Sequence, residues 1–549
     1  MRFLPLNLTS FLVELNDLDE TLALLAALQA NPLPGIREMV PAARTLMIGF
    51  AAETTSAEAL AASLSQLDLV APVRQDDRIV EVPVDYQGED LAEVAELTGL
   101  SVEDVIRRHA AGEYKVAFCG FAPGFGYLVG GDPALHVPRR KSPRLRIPAG
   151  TVALAGHFTG VYPQASPGGW QLIGTTPVKM WDIARNPPAY FQPGYRVRFI
   201  DLATVKTQIS VSAPTASTDA PPATAAGDDE VQFSVTAAPL PALFQDLGRF
   251  GQTGQGVSAS GALDRGAFKA ANRMAGNDES EPCLELMGGG FSFRSSGRAV
   301  IGVAGAPCGI TIRTAQGKIF TAQTGTPLAL EAGDEVSFAA PASGVRSYLA
   351  VRGGFKVAKI LGSAATDTLA MVGPAPVQAG SALTVNDAKT VSASVALEEI
   401  PAFAFPKAGE IVTLDLILGP RPDWFTAQAV ETLTGTDWVV TPQSNRVGIR
   451  LDGDGVLERS RSDELPSEGT VTGAVEVPPN GKPLLFLADH PLTGGYPVIG
   501  AVAEYHLDLA GQIPVGAKIR FRSVAPFAEI RPSKGRATFC EQKVAKKLC

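Results

Sequence analysis

This sequence is poor in the residues from which metal centres and disulfide frameworks are built. Five cysteines (Cys119, Cys283, Cys308, Cys540 and Cys549) are scattered over 549 residues, odd in number and without CxxC spacing. That distribution argues against zinc and against a disulfide scaffold, and it fits a reducing cytoplasm. The 5 histidines are equally scattered, with no two spaced as metal ligands. No apolar run approaches the roughly 20 residues that a membrane-spanning helix needs. The opening MRFLPLNLTSFLVEL is interrupted by Asn7, Thr9, Ser10 and Glu14, so it reads as a strand and not a signal peptide. Positive charge is in deficit: 47 Lys and Arg stand against 56 Asp and Glu, for a net charge of −9. A general nucleic-acid binder is therefore disfavoured. The GxxxxGK[ST], HExxH, GxSxG and kinase motifs are all missing.

What is present is a soluble, core-forming composition, 45% hydrophobic and 19% charged, in which 56 Gly and 42 Pro imply many short strands joined by turns. The length allows about three or four domains. One segment, SAPTASTDAPPATAAGDDE, is too small and polar to bury and reads as a flexible linker over 211–230. It separates two modules. In the first, strands are expected at 11–15 and 45–50, and helices at 18–30 (capped by Asp17) and 56–67. A further strand begins near 78, and a capped helix follows Ser101. Beyond Tyr114, short apolar runs broken by Gly and Pro indicate a compact β-barrel. The second module is β-rich, with one helix at 267–274, and is long enough for two barrel-like halves. No short fixed-period repeat is visible, which disfavours a propeller or solenoid. The expected division is 1–77, 78–210, 211–230, 231–395 and 396–549.

The segment 119–174 carries the densest mixture of glycine, proline, aromatics and cations. Rigid loops bearing Phe121, Pro123, Gly124, Phe125, Tyr127, Gly168, Gly169 and Trp170 read as the wall of a binding cleft. Arg139, in the run Arg139-Arg140-Lys141, either holds an anionic substrate or belongs to a solvated edge. His157 is the histidine best placed for function. In the second module, Asp246 and Arg249 open GRFGQTGQGVSASGALD, whose glycines could cradle an anion and which ends at Asp264. The plainer reading is a long loop whose glycines serve turns. A third cluster holds Asn445, Arg446, Glu468, Asp489, Gly494 and Gly495. Its carboxylates either act in proton transfer or pin turns by accepting backbone N–H bonds.

Together, FAPGFGYL, VPRRKSPRLRIPAG and GVYPQASPGGWQLIGTTP resemble the allophanate hydrolase subunit 1 (KipI-like) family. DLGRFGQTGQGVSASGALD, SNRVGIRL, SEGTVTGAVEVPPNG and ADHPLTGGYPVIG resemble its partner family, subunit 2 (KipA-like). The resemblance implies a β-rich α+β protein: cyclophilin-like β-barrels with an N-terminal small α/β domain, in two modules joined by a flexible linker. It further implies a fusion of the B and C components of bacterial 5-oxoprolinase, which use ATP and Mg²⁺ to activate the lactam of 5-oxoproline for hydrolysis to glutamate. A separate third subunit (LamB/YcsF-like) would complete the reaction. The expected catalytic set is His157, Asp264, Glu468 and Asp489, with the other residues named above binding substrate or nucleotide. The family commonly has an acidic or amide residue where His157 stands. Two alternatives share these families. One is biotin-dependent carboxyl transfer as in urea carboxylase, disfavoured by the module order and by the lack of a biotin attachment site. The other is a non-catalytic regulator of a sensor histidine kinase. The expected setting is cytoplasmic, with a small-molecule substrate, neither nucleic acid nor membrane as partner, and self-association left open.

Overall fold

The computed structural model describes residues 1–69, 78–140, 142, 144–204, 230–387 and 394–533. Apart from Glu230, the expected linker lies outside the described residues, as do Lys141, Cys540 and Cys549.

The chain begins with an antiparallel sheet of order β1-β2-β4-β3, made of β1 (Arg2–Pro5), β2 (Ser10–Glu14), β3 (Ile36–Pro41) and β4 (Thr45–Phe50). Helices α1 (Leu18–Ala30) and α2 (Ala57–Leu64) cover one face. Side chains Asp17 and Ser56 cap them, accepting from the N–H groups of Glu20 and Ala59. Strand β2 is buried throughout because both sheet faces are covered. Its alternation sends Phe11 and Val13 under the helices and Leu12 to the opposite face.

Residues 79–201 form a nearly closed barrel, barrel one, of order β12-β9-β10-β7-β6-β13-β5. Its strands are β5 (Ile79–Val84), β6 (Tyr114–Cys119), β7 (Gly126–Val129), β9 (Thr151–Ala155), β10 (Phe158–Val161), β12 (Gln171–Thr175) and β13 (Arg196–Asp201). Helices α3 (Leu91–Thr98) and α4 (Val102–Ala111) lie between β5 and β6. Asp85 and Thr175 exchange backbone hydrogen bonds of 2.8 and 2.9 Å, bringing the two sheet edges together. A small annex pairs β8 (Arg144–Ile147) with β11 (Ser166–Gly168).

The second module starts as two sheets packed over one apolar core that includes Phe233, Phe293, Ile301 and Leu349. One sheet contains β14 (Gln232–Ala237), β17 (Ser292–Ser295), β19 (Gly309–Arg313), β20 (Ile319–Gln323), β22 (Glu335–Phe338) and β24 (Ala382–Thr384). The other contains β15 (Leu243–Gln245), β16 (Cys283–Met287), β18 (Ala299–Gly305), β21 (Leu328–Leu330) and β23 (Arg346–Val351). Helix α5 (Arg265–Ala275) packs against β18 and β23.

Barrel two is closed. It runs β25-β32-β29-β30-β27-β26-β33, from β25 (Ile411–Leu418), β26 (Trp438–Val440), β27 (Gly448–Asp452), β29 (Ala474–Glu476), β30 (Leu484–Phe486), β32 (Val498–Val502) and β33 (Lys518–Ser523). Its annex pairs β28 (Glu468–Gly469) with β31 (Thr493–Gly494). The barrels share one topology. Numbering each barrel's strands one to seven gives the circular order 1-6-4-5-3-2-7 in both, with strands one and seven parallel. Both annexes join the segment between strands three and four to that between five and six. The sequence echoes the duplication: Gly-Gly-Trp-Gln-Leu-Ile-Gly at 168–174 answers Gly-Gly-Tyr-Pro-Val-Ile-Gly at 494–500.

The free face of the first sheet packs directly on barrel two. Leu4, Leu6, Leu12, Val40 and Met47 meet Val471, Ala474, Phe486, Leu492, Val498 and Ala501. At about 1.5–3 kcal/mol for each large apolar side chain removed from water, this seam dominates the cohesion of the modules. Beside it, the buried Arg421 guanidinium lies 2.8 Å from Glu14 of module one and also binds Glu468. Arg421→Met leaves the buried Glu468 carboxylate without its cation, while Glu14 keeps Arg2 and Arg44, and we expect a loss of about 3–5 kcal/mol in urea unfolding. Arg107→Met, which breaks an exposed, solvent-screened pair with Asp104, should leave the unfolding midpoint nearly unchanged.

Candidate functional site

The basic run of module one is divided by its neighbours. Asp90 takes Arg140 at 2.8 Å and Arg144 at 2.6 and 2.9 Å, and Glu93 also binds Arg140. Among the described residues Arg139 has no carboxylate partner; it crosses to module two, donating to Ser467 Oγ at 3.2 Å. Its Nη1 lies so close to Gly495 that a Cβ there would sit 2.4 Å away. A Cβ on Gly494 would lie 2.6 Å from Glu476 Oε1. The two glycines let a guanidinium and a carboxyl come close to one turn. The same strand is held from module one, since the Phe121 N–H donates to Thr493 Oγ1 at 3.0 Å. Gly124 N–H likewise donates to the Gln255 carbonyl at 2.9 Å.

Glu476, at the end of β29, is buried, and burial pushes its carboxyl up to about 8 against a weaker lowering by the Tyr496 N–H. It is therefore a proton donor at neutral pH. Arg459 lies over the Tyr496 ring at 5.7 Å and donates to the Val477 carbonyl at 2.6 Å, while its buried Nε has no partner among the described residues. Arg139, Arg459, Glu476 and the Gly494-Gly495-Tyr496 turn thus bring two cations and one protonated carboxyl to the seam.

The other expected residues fall into distinct groups. Glu468 pairs with Arg421, its two oxygens each 3.0 Å from Nε, and its carboxyl lies above the usual range because burial outweighs that cation. Asp489 is bound by Arg446 through two bonds of 3.0 Å and by Ser260 at 2.6 Å. Burial would raise Asp489, but the guanidinium more than offsets it and holds the carboxyl below the usual range. Arg446 also donates to Glu285 at 2.6 Å, joining barrel two to the preceding sheets. Asp264 caps α5 through Ala267 N–H at 2.8 Å and accepts from Gln512 at 2.8 Å; burial pushes it up to about 7. Asp246 accepts from Gly248 N–H, Ser363 Oγ and Ala364 N–H, and Asn445 accepts from Val447 N–H. Arg249 is buried, bonded to the carbonyls of Ala365 and Val372, with Nε and Nη1 unpartnered.

Phe125, Tyr127 and Trp170 are 1%, 4% and 6% exposed and pack edge to face at 5.1–5.6 Å, forming a core beneath the loops. Only Phe121 in this group is part-exposed, with a φ of 64°. Gly169 accepts from the Arg140 N–H at 2.7 Å, and Pro123 is buried in the same turn as Phe121. Gly168 packs against Tyr162, whose hydroxyl would lie 2.3 Å from a Cβ there. His157 is exposed in the β9–β10 turn, its ring tilted against that of Phe158 with centroids 4.0 Å apart. The structure therefore gathers Phe121, Arg139, Glu468, Gly494 and Gly495 around the seam. Asp264, Arg446 and Asp489 belong to the contact between the two halves of module two. His157 joins neither group.

Sequence reasoning passed over Glu14, Arg421, Arg459 and Glu476. The repeat of 168–174 at 494–500 was the available signal, because it marks two equivalent loops. The first is packed with aromatics, and the second is ringed by ionisable side chains.

Residues 1–191 match the family model for the carboxyltransferase domain, subdomain C and D, and residues 255–523 match that for subdomain A and B. The 5-oxoprolinase B subunit of Bacillus subtilis (strain 168) is 39% identical over 193 residues, covering 32% of this chain and 80% of that protein. The 5-oxoprolinase C subunit of Escherichia coli (strain K12) is 31% identical over 301 residues, covering 54% of this chain and 93% of that protein. The crystal structure of TTHA0988 superposes with a TM-score of 0.78 at 33% identity, over 94% of this chain and 99% of that one. The chain belongs to the carboxyltransferase-domain family, with its C/D and A/B units on a single polypeptide.

Proposed function

We propose that this chain is the fused B and C component of an ATP-dependent 5-oxoprolinase, working in the cytoplasm with a separate LamB/YcsF-like third subunit. The observation that carries this reading is the presence of both relatives' counterparts, each nearly whole, on one chain whose seam gathers Arg139, Arg459 and Glu476. The unpartnered Nε of Arg459 and the carboxylate-free Arg139 fit phosphate or carboxylate oxygens. Among the described residues, no group of three or more His, Cys, Asp or Glu could hold a metal ion. Mg²⁺ would therefore enter with phosphate oxygens and one or two carboxylates at most. When bound, ATP would supply a phosphoryl group to the lactam oxygen, activating the carbon for attack by water; the ring C–N bond then breaks with the nitrogen leaving as the protonated amine, and phosphate is released from the acyl group. The chain's own residues do the rest of the positioning. Arg139 and Arg459 orient anionic groups, Tyr496 walls the turn, and Glu476 offers a proton to the amide. Glu468, Asp264 and Asp489 hold these elements through their arginine and backbone partners.

Glutamate should form from 5-oxoproline when this chain is mixed with the third subunit, ATP and Mg²⁺, and not when the chain is alone. Absence of glutamate in the full mixture, with carboxyl transfer from a biotinylated carrier instead, would replace this reading by the carboxyltransferase one. Tight binding to a histidine kinase without turnover would replace it by the regulatory one. Arg139→Met should lower kcat/KM by about 100-fold or more with little change in melting temperature. A pH series tests Glu476 separately. Its folded value of about 8 exceeds its unfolded value near 4.5, so the native state binds the extra proton between them. Stability then falls as pH rises through that window, and the advantage present at low pH is lost above about 8. Glu476→Gln should become more stable relative to the parent as pH is raised from about 5 to about 8.5, as read by thermal unfolding.

A further inference from the structure

A cavity of about 480 Å³ lies away from the Gly494-Gly495-Tyr496 turn, where three parts of the chain meet. Helix α1 and strand β3 form one wall, β6 with Pro193 and Gly194 forms another, and the turn at 251–254 from module two closes it. Thr253 Oγ1 donates to the Met39 carbonyl at 3.0 Å, fastening that closing turn to β3. The volume falls within the ~300–1,000 Å³ typical of small-ligand sites. Most of the lining is apolar, as with Leu25, Ile36 and Val116, but three charged residues break it: Arg37 and Glu38 on β3 and Lys115 on β6. Arg37 is paired with Glu53, which leaves the charges of Glu38 and Lys115.

Neither charge is satisfied by the protein. Glu38, half-buried on β3, meets no arginine, and burial raises its carboxyl unopposed. Among the described residues, neither Glu38 nor Lys115 has a side-chain hydrogen bond or ion pair, although both line one cavity. A largely apolar cavity with an unpaired carboxyl on one strand and an unpaired ammonium on another complements a molecule with an apolar body and opposite charges at its two ends. We propose that this cavity binds a short apolar peptide with both termini free. Its ammonium group meets Glu38, its carboxylate meets Lys115, and its side chains lie along the α1 and β6 walls. This site is independent of the proposed lactam chemistry.

Calorimetric titration of the full chain with Leu-Leu tests the idea, using N-acetyl-Leu-Leu-amide as the charge-free control. The expected result is saturable binding of Leu-Leu that weakens at least tenfold for the blocked peptide. Glu38→Gln and Lys115→Met should each reproduce that tenfold loss while the melting temperature is retained. No heat with Leu-Leu up to millimolar concentration overturns the proposal. Equal binding of the blocked and free peptides also overturns it, and that comparison needs no variant to fold.

Discussion

A single buried guanidinium, that of Arg421, sets the relation between the modules. It reaches Glu14 at the end of an N-terminal strand, which Arg2 and Arg44 also bind, and Glu468 in the annex of barrel two, so one cation bridges carboxylates from both modules. Such a triad is not the main source of cohesion. Desolvating three charges offsets much of their attraction, and the apolar contact between the first sheet and barrel two is the larger favourable contribution. The apolar contact tolerates small slips, however, whereas a bonded guanidinium does not. Arg421 therefore fixes where Glu468 stands, and Glu468 pairs with Gly494 in the annex that carries the Gly494-Gly495-Tyr496 turn.

The two barrels show how one topology is put to two uses. In barrel one, the loop preceding strand six brings Trp170 onto Phe125 and Tyr127, and the outer face is sealed by aromatic packing. In barrel two, the equivalent loop carries Tyr496 beside Arg459 and leaves Glu476 facing the Gly494 backbone. Barrel one then supplies Arg139 from its own annex loop. One copy provides a rigid platform and a cation, while the other keeps the ionisable groups.

Local features were legible in the sequence. Asp17 and Ser101 cap helices where their spacing places them, and the alternation in β2 and β4 follows from period two. The expected helix at 267–274 is present as Arg265–Ala275, started by Asp264. Half of the seam was legible as well, because Arg139, Glu468, Gly494 and Gly495 lie in glycine-rich loops that no core requires. The remainder depends on pairings between residues far apart in the chain. Nothing near Arg421 announces Glu14 as its partner, and Glu476 sits in the run AVEV, where a lone carboxylate reads as a solvent-facing strand position. The aromatics of 119–174 misdirect in the opposite sense, because large rings spaced by glycine look like a cleft wall when they pack on one another.

The central claim is that one site is shared by both modules at the annexes. Hydrogen exchange of the full chain with and without ATP, Mg²⁺ and 5-oxoproline tests it most directly. The account predicts simultaneous protection of the Arg139 loop, of 467–476 and of 493–496. Protection confined to one module, or found only at 246–264, would contradict it.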